Sequence, residues 1–415
     1  MGTAAGTMKT VSRASVHMDA LRGLAAMVVF LSHTRSIFLK AGLRNVLEGT
    51  AENLPSAPAS VPEPMMITHW RISQLWFGNV TIGHLAVIVF FVLSGYLVGG
   101  SVLRSMRKNS FLWRPYLKQR LTRLWVVLLP ALLLGGALDG IGMHVWHGAH
   151  NLYSGLSGTD IAPGLAARTT IPVFLGNVFF LHEILTFPFG TNIPLWSLSY
   201  EFWYYIAFPL LVTICMASNS PRVRVKTGLV LLLLLVFFGW RISGYFSIWL
   251  LGVAVALLPL SIPSRWRRAA MTISGTLVLL TMFLEIKLKP VLLLSDVVLG
   301  FIFSIFLWTV LHAQEPCDSG LYRSSAHGLS SMSYTLYLVH YPLLVFISAL
   351  LMPVWQPWAI TLVSLIKVSA ICIIVLSISW VMYYCFERNT GKVRAWLSFQ
   401  QLSDQPPVLH RNAKR

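Results

Sequence analysis

Val80-Thr-Ile-Gly-His-Leu-Ala-Val-Ile-Val-Phe-Phe-Val-Leu-Ser-Gly-Tyr-Leu-Val-Gly-Gly-Ser101 runs for 22 residues without one Asp, Glu, Lys or Arg. At a helical rise of 1.5 Å per residue, such a run crosses a hydrocarbon core of about 30 Å as a single helix. The rest of the chain has the same character. Of its 415 residues, 56% are hydrophobic and 11% charged, against about 25% charged in a soluble domain. Most of the chain must therefore meet lipid, which excludes an intrinsically disordered protein and a nucleic-acid-binding domain.

Nine further apolar stretches are long enough to be spans, near 19–39, 124–145, 194–216, 227–240, 245–262, 270–286, 291–312, 330–351 and 358–385. The fold expected is an all-α integral membrane protein, a bundle of about ten transmembrane helices. The stretches at 227–240 and 245–262 lie so close that they form a tight hairpin around Arg241-Ile-Ser-Gly. The first stretch carries Arg22 and His33 and is followed by no signal-peptide cleavage pattern, so the N-terminus is expected to stay attached.

An even number of spans puts both termini on one side, and placement of the basic residues says which. Segments on the side of the termini hold 22 Lys and Arg, the opposite segments hold 7, and Arg22, Arg35 and Lys367 fall inside spans. The positive-inside rule makes the termini cytoplasmic and accounts for much of the net charge of +18. The division is then a cytoplasmic N-terminus (1–18), a membrane domain (19–388) and a cytoplasmic tail (389–415), too short for a second domain. Outside, 49–64 is rich in Pro, Ala and Ser and 146–170 in Gly and His. The stretch from Ile171 to Phe189 is apolar but broken by Pro172, Gly176 and Pro188, which suits a re-entrant or interfacial piece. Cys215, Cys317, Cys372 and Cys385 show neither metal spacing nor a disulfide framework, so no metal is expected. No internal repeat of the kind common in transporters is visible.

Arg22 and His33 are eleven residues apart, which on a helix puts them on one face and about 16 Å apart along the axis. That face has an anion-seeking end near the cytoplasm and a base or nucleophile in the outer half. An interfacial, snorkelling role is the alternative for Arg22, and a hydrogen-bonded structural role for His33. Between 104 and 123 lie seven cations. Arg120 and Arg123, at i and i+3, face together on a helix and could clamp phosphates, although a basic loop also suits lipid headgroups. Glu201 opens the fourth span at the level expected for His33, where a carboxylate would fix an imidazole tautomer and raise its basicity. The aromatics around it (Trp196, Trp203, Tyr204, Tyr205) read as an interfacial belt. Ser94 and Gly95 are expected to permit close helix packing, not to supply a nucleophile. His340 could serve the site or the packing, Asp139 and Asp296 read as interfacial, and His182-Glu183 lies where an acceptor could touch it.

Taken in order, Leu21-Arg-Gly-Leu-Ala-Ala with the Arg22-to-His33 spacing, Phe90-Phe-Val-Leu-Ser-Gly-Tyr96, Arg120-Leu-Thr-Arg123, Trp196-Ser-Leu-Ser-Tyr-Glu201, Ser333-Tyr-Thr-Leu-Tyr-Leu-Val-His340 and Phe386-Glu-Arg give a pattern over residues 18–388 that resembles membrane-bound acyltransferase family 3. Its members O-acylate bacterial surface and secreted glycans and, in some branches, macrolides. Asp19 matches the family's acidic residue beside the first motif, while Ala20 replaces its usual Gly. The resemblance implies ten helices, an acyl-CoA co-substrate on the cytoplasmic side, and a bacterial inner-membrane location. It also implies a single-module enzyme like the Nod-factor and exopolysaccharide acetylases, with Arg22, His33, Arg120, Arg123 and Glu201 as functional positions.

The reading that follows is a membrane O-acyltransferase moving an acyl group, acetyl by preference, from cytoplasmic acyl-CoA to a sugar hydroxyl of an extracytoplasmic or lipid-linked glycan. Its partners are a glycan or glycolipid acceptor and membrane lipids. Arg22, Arg120 and Arg123 would bind CoA phosphates. His33, oriented by Glu201, would act as general base or carry the acyl group itself. The rivals are a proton-coupled secondary transporter or lipid flippase, with the same groups as a proton relay, and a non-catalytic scaffold.

Overall fold

The structure, a computed structural model, describes residues 12–39, 82–146, 152–153, 164–216, 219–288, 292–317 and 320–403. The outer loop at 49–64, most of 146–170 and the ends of both terminal segments lie outside the described residues. Those described form α1 (Arg13–Phe38), α2 (Ile82–Arg107), α3 (Trp113–Val145), α4 (Ile171–Val178), α5 (Trp196–Cys215), α6 (Pro221–Leu257), α7 (Ser264–Leu288), α8 (Leu292–Val310), α9 (Gly320–Ser331), α10 (Ser333–Leu351), α11 (Leu362–Cys385) and α12 (Thr390–Ser403). Among the described residues there is no strand, and nine helices are long and apolar enough to cross a membrane. The chain is a multi-pass membrane protein. Leu133, Val236, Leu279 and Ile373 are among the large apolar side chains left exposed around the bundle, the surface that acyl chains solvate.

One of the nine, α6, is two crossings. Its 37 residues would extend about 55 Å if straight, nearly twice the hydrocarbon thickness. Gly239 divides it into 221–238 and 240–257 with φ +75° and ψ 173°, a conformation open to glycine but not to a side chain. Ser243 Oγ then donates to Leu235 O at 3.0 Å, a bond between residues placed symmetrically about the turn. The hairpin expected from the sequence is present. Its turn lies at Gly239, ahead of Arg241-Ile-Ser-Gly, because backbone reversal needs the glycine and the polar residues can begin the next helix.

With α6 counted twice, the described residues form ten crossings, and contacts at the two ends of the bundle agree with their alternation. At one end Arg13 N donates to Glu315 O (2.8 Å), Arg267 pairs with Glu315 (3.5 Å) and Ile262 N donates to His312 Nε2 (3.0 Å). At the other, Trp358 N donates to Phe38 O (2.8 Å) and Tyr245 Oη to Asp296 Oδ2 (2.5 Å). The first and last spanning helices therefore begin and end on the same, basic side.

Two local devices hold the helices together around the site. Gly95 on α2 and Gly252 on α6 meet backbone to backbone: a Cβ on Gly95 would lie 1.9 Å from Trp249 O, and one on Gly252 2.0 Å from Val92 O. Small residues permit this approach, as the sequence suggested for Gly95, and here α2 locally widens into a π-turn at Gly95–Gly99. Prolines supply the second device. Pro209 and Pro342 have no N–H, which frees the carbonyls four residues earlier. Tyr116 Oη takes up Tyr205 O at 2.9 Å and Asn192 Nδ2 takes up Leu338 O at 2.8 Å, so each break becomes a tertiary bond.

The basic segment at 104–123 differs from the loop expected. α2 continues to Arg107 and α3 starts at Trp113, so only 108–112 is non-helical. An apolar window marks where a helix is lipid-covered, not where it ends, and both helices project beyond that layer. The tail after Glu387 likewise contains α12, which packs on α3. The stretch from Ile171 re-enters the bundle: Trp125 Nε1 donates to Val178 O at the end of α4 (2.8 Å) and Trp203 Nε1 to Phe180 O just beyond it (2.9 Å), both from well inside spanning helices.

Candidate active site

Arg22, Arg120 and Arg123 come from two helices and meet in one cavity of about 130 Å³, lined also by Glu201, Ser94, Ser197, Tyr205, Ser333, Tyr334 and Tyr337. α3 places Arg120 and Arg123 one turn apart, and α1 places Arg22 opposite them. Arg22 Nη2 donates to Ser330 O at 3.4 Å and Nη1 lies 4.0 Å from Asp19, whose carboxylate accepts from Ser330 Oγ at 2.9 Å. Arg22 therefore turns inward, not out to the lipid interface.

Arg120 is 8% exposed, with its guanidinium carbon 5.6 Å from the ring centroids of both Tyr116 and Tyr205. Cation–π contact from two rings offsets part of the cost of burying the charge. Its Nε has no hydrogen-bond partner among the described residues, the condition expected of a donor awaiting an anion. Arg123 is in electrostatic reach of Glu201 and Glu387. Glu387, from the Phe386-Glu-Arg motif, had no role assigned from sequence. Its Oε2 accepts from Thr335 N (3.1 Å) and Thr335 Oγ1 (2.6 Å), capping the first turn of α10 with negative charge. A carboxylate directly after the last span, followed by Arg388, was the available signal.

The partnership expected between Glu201 and His33 is not formed. Glu201 Oε1 accepts from Ser94 Oγ at 2.9 Å and from Tyr205 Oη, on the face of α5 that looks toward α2 and α3. His33 looks elsewhere, since α1 packs against α2, α9, α10 and α11. Glu201 lines the cavity of Arg22, whereas His33 lies eleven residues further along α1, so the two differ in depth as well as in the neighbours they face; hydropathy marks a span but fixes neither the azimuth of a residue nor its exact level.

His33 instead meets His340 of α10, with 2.9 Å between His33 Nδ1 and His340 Nε2. The ring planes are 9° apart and the centroids 5.2 Å apart, the arrangement of two imidazoles joined edge to edge. Tyr341 stands edge-on to His33 at 4.9 Å and Phe30 edge-on to His340 at 6.1 Å. Between this pair and the arginine cavity lies Tyr337. Its Oη donates to Pro194 O (2.7 Å) and lies 2.6 Å from Ser197 Oγ, and its ring is 6.1 Å from that of His340.

A third polar group joins α2, α6 and α8 at the far end. His84 Nε2 lies 2.9 Å from both oxygens of Asp296, which is 0% exposed. The interfacial reading of Asp296 is thus replaced by a buried hydrogen-bonded one. Asp139 is also buried, accepting from Thr191 N and Oγ1 at 2.8 Å each, and anchors the re-entrant segment. His182 is buried as well, its Nε2 donating to Leu195 O at 2.8 Å. Among the described residues no group of three His, Cys, Asp or Glu could hold a metal.

A family model described as an acyltransferase domain matches residues 16–384, nearly the whole of this bundle. The chain belongs to membrane acyltransferase family 3. No curated protein and no solved structure matches it. As a membrane acyltransferase it transfers groups other than aminoacyl groups, and the transporter and flippase readings that the intramembrane charges also allowed give way to an enzyme. Acyl transfer needs a place that holds the donor and a base or nucleophile within reach of its acyl carbon. The arginine cavity and the imidazole pair offer those two elements, joined by one helix, α1.

Proposed function

We propose that this acyltransferase takes an acyl group, acetyl by preference, from acyl-CoA on the cytoplasmic side and transfers it to a sugar hydroxyl of an extracytoplasmic or lipid-linked glycan. The bacterial inner membrane is the location this implies. The observation that carries the reading is the meeting of Arg22, Arg120 and Arg123 in one cavity, with the Nε of buried Arg120 unpartnered among the described residues. Guanidinium forks match phosphate oxygens, and the donor's phosphates are the anions at hand. The narrow pantetheine arm would extend from that cavity past Tyr337 toward His33.

In the transfer, His33 removes the proton from the acceptor hydroxyl as its oxygen attacks the thioester carbon. The carbon–sulfur bond then breaks, and the proton passes to the departing thiolate, so free CoA and an ester are the products. Tests begin with the purified protein in lipid, radiolabelled acetyl-CoA and a panel of glycan acceptors. Label entering a glycan, and lost on His33→Ala substitution, supports the reading; CoA release that does not depend on a sugar hydroxyl rejects the acceptor class.

A further inference from the structure

We infer that His340 is a positioning residue that fixes the tautomer of His33, so that the lone pair of His33 lies on Nε2. The inference rests on His33 being the base of the proposed reaction, but the atoms that carry it stand apart from that reading. His340 Nδ1 lies 2.9 Å from Leu336 O. A carbonyl oxygen only accepts, so Nδ1 of His340 carries a proton. In the neutral ring Nε2 is then an acceptor, and its partner at 2.9 Å is His33 Nδ1. His33 must donate there. Its Nδ1 is protonated, and its Nε2, which has no hydrogen-bond partner among the described residues, holds the basic lone pair.

This arrangement opposes the intrinsic preference of imidazole, which favours the proton on Nε2, so the protein has to impose it. The helical carbonyl of Leu336 sets the first ring and the first ring sets the second, much as a carboxylate sets an imidazole in other acyl-transfer sites. His340 is 0% exposed, and the edge-on rings of Phe30 and Tyr341 hold the two planes nearly coplanar. When His33 takes the acceptor proton on Nε2, its Nδ1–H bond to His340 strengthens and stabilises the imidazolium. The residue that the sequence assigned to this task, Glu201, is occupied by Ser94 and Tyr205.

Nitrogen-15 NMR of histidine-labelled full-length protein in lipid bilayers tests this, with His33 assigned by the signal lost in His33→Gln. The wild type should show His33 protonated at Nδ1. His340→Ala should move His33 toward the Nε2-protonated form and lower kcat by on the order of 10- to 10²-fold with donor KM little changed. His340→Gln, whose amide oxygen can accept from Nδ1–H, should recover most of both. An Nε2-protonated His33 in the wild type overturns the inference, as does equal kcat loss in the Ala and Gln variants with the tautomer unmoved. If His340→Ala does not fold, the wild-type spectrum and His340→Gln still decide. Unimpaired turnover in folded His33→Ala would instead sink the assignment of His33 as base, while the NMR result stands on its own.

Discussion

Ser94 Oγ donates to Glu201 Oε1 at 2.9 Å and itself accepts from Trp249 Nε1 at 3.2 Å, so the cavity carboxylate is held by a hydroxyl on α2 that is in turn held by α6. The same stretch of α2 carries Gly95, whose backbone rests on Trp249. Helix contact and carboxylate position are thus one structural unit.

Glu201→Ala removes the acceptor of two hydroxyls, those of Ser94 and Tyr205, and should destabilise the protein by about 1–3 kcal/mol. Glu201→Gln keeps a carbonyl oxygen for both and should retain most of the stability. Thermal unfolding in detergent, read side by side, checks the ordering. Because neither change touches the His33–His340 pair, the tautomer of His33 should be the same in both variants.

Gly252→Ala should be among the most damaging single-methyl additions in the bundle. The added carbon meets Val92 O at 2.0 Å, and a backbone atom cannot swing aside as a side chain can. Overpacking costs about 1–3 kcal/mol in ordinary cores, and a backbone obstacle puts this case at the upper end or beyond. Gly228→Ala on α6, with nothing within 4 Å, should stay within about 1 kcal/mol of the wild type. Yield of folded protein and melting temperature compare the two.

Glu183 lies in the re-entrant segment and belongs to no spanning helix. Burial pushes its carboxyl up to about 7, with Arg241 and Arg168 opposing the shift and Tyr200 close by. A carboxyl raised in the folded state holds its proton more tightly there than when unfolded. Its stabilising contribution is therefore full below the ordinary value and is lost as pH climbs through the folded one. Melting temperature should fall between about pH 4.5 and about pH 7, and Glu183→Gln should flatten that slope. A slope of equal size in the variant would assign it to other groups.

Much of this was legible in the sequence, and the limits are physical. Spans follow from hydropathy, so the ten crossings and the common side of the ends could be read from charge-free runs and from the placement of Arg and Lys. The i, i+3 spacing placed Arg120 and Arg123 on one face, and the structure aims both into one cavity with Arg22. The rotation of each helix about its axis was not legible, because it is set by contacts such as Gly95 against Gly252. Glu201 received the wrong partner for that reason and because it sits at the level of Arg22, and His340, 307 residues from His33, could be read as serving the site or the packing but not as the partner of His33. Asp296 was misjudged for the same reason: nothing in the chain announces that His84 and Tyr245 converge on it.

Arg120→Ala combined with Arg123→Ala should weaken acyl-CoA binding far more than acceptor binding, since charge-assisted contacts to phosphate are lost on the donor side alone. Calorimetric titration with CoA reads this directly, and the affinity of the wild type should fall with added salt. Unaltered CoA affinity in the double variant would move the donor site away from the cavity.

The last prediction concerns the side from which each substrate arrives. Arg120 and Arg123 belong to the end of the bundle that carries most of the basic residues, and the positive-inside rule makes that end cytoplasmic. His33 lies eleven residues beyond Arg22 on α1, about 16 Å deeper, and α1 ends at Phe38 among Trp355 and Trp358 of the opposite side. A donor carrying a charged nucleotide cannot cross lipid, yet its arm is narrow enough to follow α1 through a protein-lined passage. Donor and acceptor should therefore approach from opposite faces, with the acyl group crossing between them. In sealed vesicles of known orientation, supplied with membrane-impermeant acyl-CoA and acceptor on chosen sides, product should form when the donor is cytoplasmic and the acceptor external. Equal rates with both substrates confined to the cytoplasmic face would reject the crossing and leave an acyltransferase whose two substrates share one entrance.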